Sequence, residues 1–489
     1  MIDLLLVRSN DKKAVYDRVT PYTACEPPYW LAIIASYIRN AGFSVEALDA
    51  EAENLSPETT AEIIHEKRPS LVGLIVTGSH LSASTQKMQG AGMVATALKN
   101  KCEIPIFMWG LHPSALPEKT AQEESVDYVV KGENLPEIKQ LLEAVREHNS
   151  TRLLSIQGLY LHDGAHAVKT TADLMSTEQF PLPAWDLLPM ECYRPHDWQT
   201  MGNSENTHNR YGVIATSLGC PFSCEFCAIS SQFGCKKVRY FSSEQVLQQI
   251  DVLVNQYKVN YIKILDENFI LNRKHVNEIC DLLARRNYNL SLWAYARIDT
   301  VTPEILKKCK EAHIDWLAYG IESPNELILA DVSKGQYGQS DIENVIKMTQ
   351  EAGCNVMANF MFGLPDDTIE SMQETLEFAK KINPEYINFY CVMAYPGSAL
   401  YQKILLNHPE YLPKQWIGYS QYAYECQPLP TKYISAEAVL AFRDYAYTAF
   451  FENNNAYFKK ISEKFGDEVV QKIKQKNRTR LKRKLLEEK

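Results

Sequence analysis

Gly219-Cys220-Pro221-Phe222-Ser223-Cys224-Glu225-Phe226-Cys227 is the stretch on which the reading of this chain turns. Its three thiols follow directly on a strand-like run, residues 212–217. Thiolates this close on one loop can wrap a single cubane, because soft sulfur ligands select iron–sulfur clusters and closing a short loop costs little. A cluster that only carries electrons is normally held by four cysteines. Three leave one iron with an open position, the feature that separates catalytic from structural metal sites. The alternatives are three ordinary buried cysteines, or a zinc site, which would want a fourth Cys or His; only Cys235 stands close.

The chain around this loop is 489 residues long, enough for two main domains and a small appendage. With 45% apolar and 23% charged residues it has the composition of a soluble globular protein. A net charge of −9 argues against a surface that tracks nucleic acid and favours a small-molecule substrate. The first ten residues lack the basic flank of a secretory signal, and the apolar run 4–7 is too short to span a bilayer. The expected location is the cytoplasm, where clustered thiols stay reduced and more often hold metal than form disulfides.

Upstream of the loop, in residues 1–150, strand-like runs (2–7, 44–48, 71–76, 104–108, 127–130) alternate with helix-like segments such as 29–40 and 82–99. This α/β rhythm predicts a doubly wound, flavodoxin- or Rossmann-like parallel sheet that binds its ligand at the carboxyl ends of the strands. Residues 151–205 break the rhythm with Pro181, Pro183, Pro189 and Pro195 and are expected to be a connector. Downstream, the runs 212–217, 261–265, 290–296, 316–319, 355–362 and 387–392 are each separated by one helical segment. They predict a partial (β/α)6 TIM-like barrel within 206–430, with its chemistry at the carboxyl ends of the strands. Residues 431–489 read as helical, and the basic run from Lys472 to Lys484 is expected to be a solvated cap in preference to a binding patch.

The spacing Cys220-x3-Cys224-x2-Cys227, with Phe226 before the last cysteine, resembles the signature of the radical S-adenosylmethionine (SAM) superfamily. The resemblance implies a [4Fe–4S] cluster on these thiols, SAM chelated to the open iron, and one-electron cleavage of the sulfonium to a 5′-deoxyadenosyl radical. It also assigns SAM contacts to residues at successive strand ends: Phe226, Asp266, Glu267, Arg297, Glu322, Ser323 and Gly363. Asp266 and Glu267 suit the SAM ammonium, Arg297 a carboxylate or ribose, and Glu322 and Ser323 ribose hydroxyls. Gly363 would permit close backbone approach to the nucleoside. The Gly-Gly-Glu run that many members carry after the second strand is here Asp266-Glu267-Asn268.

The first domain resembles the cobalamin-binding domain found ahead of many radical SAM barrels. The likeness rests on residues 26–32, Ser79-His80-Leu81, Trp109-Gly110-Leu111-His112-Pro113 and Lys131-Gly132-Glu133. It implies cobalamin contacts at Thr77, Gly78, Ser79, His80, Leu81, Gly110, Leu111, His112, Gly132 and Glu133. Trp109 stands where the family has the first of two paired glycines and would crowd the nucleotide tail. Residues 8–28 contain no histidine, so the family's Asp-x-His-x-x-Gly cobalt ligand is missing and the cofactor is expected base-off. No Gly-x-Gly-x-x-Gly follows the first strand, which argues against a dinucleotide.

Together these resemblances imply a cobalamin-dependent radical SAM methyltransferase. It would act on an unactivated carbon, or phosphorus, of a small metabolite through the 5′-deoxyadenosyl radical and methylcobalamin. Its electron donor would be a flavodoxin or ferredoxin. The alternative with the same cofactors is a cyclase, ring-rearranging or oxygen-inserting enzyme, related to the anaerobic porphyrin cyclases, without methyl transfer. A non-catalytic cobalamin or iron–sulfur sensor would have no use for a three-cysteine open site.

Overall fold

The structure is a computed structural model and describes residues 2–162, 174–202, 209–234, 236–335, 337–452 and 454–487. Cys235, the thiol a zinc site would have recruited, lies outside the described residues.

Six strands form the first sheet: β1 (Leu4–Arg8), β2 (Val45–Asp49), β3 (Leu71–Val76), β4 (Ile106–Gly110), β5 (Tyr128–Val130) and β6 (Leu159–Leu161). Their order is β2-β1-β3-β4-β5-β6, parallel except for β6. Strands β1, β3 and β4 are buried along their whole length, because both faces are covered; hence their unbroken apolar sequences. The strand order reverses beside β1 and β3, which opens a ligand crevice at their carboxyl ends. The edge strand β6 belongs to the segment expected to be connector. Three residues are too few to show a period, and only pairing with β5 makes them a strand.

The second sheet is built from β7 (Tyr211–Ile214), β10 (Tyr261–Ile264), β11 (Ser291–Ala296), β12 (Ile314–Glu322), β13 (Asn355–Phe362) and β14 (Tyr386–Cys391), after a short antiparallel pair, β8 (Ser217–Leu218) and β9 (Arg239–Tyr240). All six are parallel in the order β14-β13-β12-β11-β10-β7, so β7 and β14 face an unpaired gap and the barrel is open on that side. The strand expected over 212–217 breaks at Ile214. There Asp266 accepts hydrogen bonds from the Thr216 amide (2.7 Å) and from the hydroxyls of Thr216 (2.6 Å) and Ser217 (2.5 Å), drawing the chain out of the sheet.

The two sheets share one apolar core, with Trp30 packed on Trp109 (centroids 5.4 Å) and on Phe233 (6.1 Å). Polar ties cross the same boundary. Glu133 pairs with Arg239, and the Gln232 side chain donates to the Gly132 carbonyl at 2.8 Å. After the barrel, helices Ala436–Phe451, Asn455–Phe465 and Asp467–Lys476 fold back on β14. Arg443 donates to the Phe389 carbonyl (2.9 Å) and Tyr457 to that of Glu385 (3.1 Å). Among the described residues no helix is long and apolar enough to cross a membrane.

Candidate active site

Side chains on a strand alternate between faces. In the barrel the inward set is Lys263 on β10, Trp293 and Tyr295 on β11, Met357, Asn359 and Met361 on β13, and Tyr386, Asn388 and Tyr390 on β14. They enclose a cavity of about 480 Å³, within the range of small-molecule sites. Its lid is the cysteine loop: Cys220, Cys224 and Cys227 all line it, with Phe222 and Phe226. Five residues of the first domain's segment after β3, Ser79, His80, Ser82, Ala83 and Gln86, complete the wall, with His80 beside Glu267.

Two of the thiols have defined side-chain neighbours. The Ser82 hydroxyl lies 3.3 Å from the Cys227 sulfur, and an Arg297 nitrogen donates toward the Cys224 sulfur at 3.6 Å. Burial pushes the Cys220 thiol up to about 11 and the Cys227 thiol up to about 12, so iron must displace their protons to bind. Among the described residues no three His, Cys, Asp or Glu converge on a single metal ion. A cubane makes no such demand, since each thiolate meets its own iron. The donor set fits a cluster.

The residues assigned to SAM divide into two groups. Phe226, Glu267, Arg297 and Glu322 line the cavity. Arg297 stacks on the Phe222 ring (3.7 Å to the centroid) and is gripped by Asp299 at 2.8 Å. Glu322, held at φ 62° beside a bulge in β12, pairs with buried Lys334 at 2.7 Å. Burial raises the Glu267 carboxyl to about 8, and its oxygen lies 3.3 Å from His80 Nε2. Burial also lowers His80, to about 4, so the two groups share one proton at neutral pH.

The other three assignments do not reach the cavity. Asp266 is spent on Thr216 and Ser217. Ser323 is buried and accepts from the Asn325 amide (3.2 Å) as a turn residue. Gly363 has φ +87°, and a Cβ there would meet Val439 of helix Ala436–Phe451 at 2.6 Å, so that helix approaches it closely.

The cobalamin assignments divide likewise. Thr77, Gly78, Ser79, His80 and Leu81 line a small cleft at the sheet's carboxyl end, with Arg8, Glu51 and Lys87. This cleft shares Glu26, Ser79, His80, Glu267 and Tyr295 with the large cavity. Its volume is only about 50 Å³, so a nucleotide tail fits only if the loop 77–81 opens. Gly110 is a glycine because of its own scaffold: at φ +142° a Cβ would stand 2.0 Å from the Val76 carbonyl oxygen. Trp109 is buried in the aromatic core against Trp30 and does not itself line the cleft. Leu111 and His112 are fully buried; the His112 ring packs on Trp416 (4.5 Å) and its Nδ1 lies 3.0 Å from the Thr85 hydroxyl. Gly132 and Glu133 are engaged with Gln232 and Arg239.

Several cavity residues gave no motif in the sequence. Lys263 is almost wholly buried, bonds both oxygens of Glu26 (3.0 and 3.2 Å) and donates to the Ser79 carbonyl at 2.5 Å. A lysine between two isoleucines in a strand was the signal available, since a charge in that pattern needs a partner. The cavity is also lined by Tyr16, Val19 and Tyr22 from early in the chain and by Lys476 and Arg480 late in it. The basic tail is therefore more than a solvated cap.

Comparisons with known proteins agree with this arrangement. The model of the B12 binding domain matches residues 17–142 and that of the radical SAM superfamily residues 214–379. An uncharacterized methyltransferase of Pyrococcus horikoshii is 31% identical over 471 residues, 95% of this chain and 96% of that protein. The anaerobic magnesium-protoporphyrin IX monomethyl ester cyclase of Cereibacter sphaeroides is 25% identical over 77% of this chain and 60% of its own length. Among solved structures, the radical SAM methyltransferase TsrM of Kitasatospora setae, with cobalamin and a [4Fe–4S] cluster bound, superposes with a TM-score of 0.65 at 20% identity, over 83% of this chain and 75% of that one. This protein belongs to the radical SAM superfamily, in the branch that sets a B12-binding domain ahead of the barrel and works with a [4Fe–4S] cluster, SAM and cobalamin.

Proposed function

We propose that the protein is a cobalamin-dependent radical SAM methyltransferase that methylates an unactivated carbon of a small metabolite. The observation that carries this reading is the shared cavity, which the cysteine loop and the first domain's loop both line. Cys220, Cys224 and Cys227 hold the cluster; Phe226, Glu267, Arg297 and Glu322 surround SAM; the loop 77–81 takes cobalamin after opening. When bound, these groups supply a carbon-centred radical and a transferable methyl group.

The chain's own contribution is orientation, charge and exclusion of water. Arg297, fixed by Asp299 and Phe222, offers a carboxylate partner beside Cys224. Glu267 and His80 keep one proton between them and put no net charge where the two cofactors meet. Tyrosine and tryptophan walls keep water from a radical. A one-electron donor of the flavodoxin or ferredoxin kind would reduce the cluster.

The test is anaerobic reconstitution with iron, sulfide and cobalamin, followed by SAM and a strong reductant. The expected products are 5′-deoxyadenosine and, in proportion to bound cobalamin, S-adenosylhomocysteine; the variant lacking all three thiols gives no 5′-deoxyadenosine. 5′-Deoxyadenosine without S-adenosylhomocysteine would favour a cyclase-type reaction. Absence of both products from the wild type would overturn the proposal.

A further inference from the structure

The cavity is unevenly charged. Four carboxylates line it, and each already has a partner: Glu26 with Lys263 (3.0 Å), Glu322 with Lys334 (2.7 Å), Glu267 with His80 (3.3 Å), and Asp444 with Arg443 (2.8 Å) and Arg483 (2.8 Å). Arg297 is matched by Asp299. Two cations of the lining, Lys476 and Arg480, have no carboxylate among these pairs; the carboxylate that feels the Lys476 charge is exposed Asp197, outside the lining. Lys476 donates instead to the Tyr386 hydroxyl at 2.7 Å and lies over the rings of Tyr386 (5.2 Å) and Tyr22 (5.7 Å).

Lys476 stands at the far end of the cavity from the cluster loop, and Arg480 follows it four residues later in the chain. Tyr386 is the first residue of β14, and the cysteine loop sits over the strands' carboxyl ends. One strand of this length spans roughly 15 Å. The wall between is largely aromatic and thioether (Tyr390, Tyr447, Trp293, Met357 and Met361), broken by Asn359 and Asn388, whose amides bond each other at 3.0 Å. Such surface binds a planar or extended apolar body and gives a charged one nothing.

We propose that Lys476 and Arg480 are the specificity-determining residues of this site, and that its substrate is an extended, largely apolar or aromatic molecule bearing an anionic group. The anion sits at the C-terminal segment, and the carbon to be modified lies about a strand's length away under the cysteine loop. This rests on the proposed function for the identity of the reacting end, and on charge and shape alone for the bound end. The basic tail thereby gains a role in recognition. Arg483, buried against Asp444 and donating to the Ala423 carbonyl (3.1 Å), anchors the segment at the cavity wall, where Lys476 is half-buried and Arg480, exposed at the rim, donates to the Asn477 carbonyl.

The test uses cobalamin- and cluster-loaded protein and two dyes of similar shape, anionic 8-anilinonaphthalene-1-sulfonate and neutral N-phenyl-1-naphthylamine, titrated by fluorescence. The double variant Lys476→Gln/Arg480→Gln should weaken the anionic dye about tenfold and the neutral dye less than about twofold. Lys476→Arg/Arg480→Lys should keep wild-type preference, and unchanged iron and cobalamin content would show that the fold survives. Equal loss for both dyes, or no loss for the anionic one, overturns the proposal. Dye binding needs neither SAM nor an electron, so this result and the product assay fail independently.

Discussion

The Ser82 hydroxyl oxygen and the Cys227 sulfur lie 3.3 Å apart, although 145 residues separate them in the chain. One belongs to the loop after β3, the other to the cysteine loop after β8. With the sulfur ligated as a thiolate, only Ser82 can donate, and hydrogen bonds to cluster sulfurs raise a cluster's potential. Ser82→Ala should therefore shift the [4Fe–4S] potential to a more negative value, with cluster content intact. Redox titration followed by electron paramagnetic resonance checks this; an unchanged potential would show that the contact is only packing.

Lys263 joins the two domains through Glu26 and the Ser79 carbonyl. Lys263→Met leaves a buried carboxylate alone and should cost about 3–5 kcal/mol. Adding Glu26→Gln should restore part of the loss, because the stranded charge is gone. Denaturant melts of the single and double variants give the coupling, and cobalamin affinity should fall with the single variant.

Glu51 is half-buried, its side chain held against Lys87 at 2.5 Å, with Arg8 adding to the field that holds its carboxyl down at about 2 against an ordinary 4.5. A folded-state value below the unfolded one stabilises the fold above pH 4.5, and that contribution disappears as pH falls toward 2. Glu51→Gln should therefore be clearly less stable than the wild type at pH 7, and the gap should close between pH 4.5 and 2. Melting temperatures across that range read it directly.

Trp109 occupies a position where the resemblance implies a glycine, yet its ring is fully buried beside Trp30. Trp109→Ala should cost about 3–5 kcal/mol, as large core truncations do. It should not improve cobalamin binding. Tighter binding in equilibrium dialysis would mean that the indole does obstruct the cofactor.

Much of this architecture was legible because the relevant signals are local. Strands β1, β3 and β13 announce themselves as apolar runs, and Cys220, Cys224 and Cys227 are a pattern within one loop. What the sequence could not resolve is which polar residues at a strand end face the cavity. Asp266 and Glu267 are neighbours, and neighbours at a strand end point to opposite sides; one braces Thr216, the other meets His80. Gly110 and Gly363 fit the family's pattern but are glycines because Val76 and Val439 press on them. Lys476 and Arg480 escaped because their meaning depends on β14, some ninety residues earlier, an association no window of sequence contains.

The late position of Lys476 in the cavity lining has a consequence for synthesis. The last barrel strand ends at Cys391, but the sidewall waits for helix Asp467–Lys476, which leaves the ribosome much later. A nascent chain can thus possess both finished sheets and still have a leaking chamber. A chain stopped short of Lys476 would lack the part of the wall that this residue and Arg480 supply.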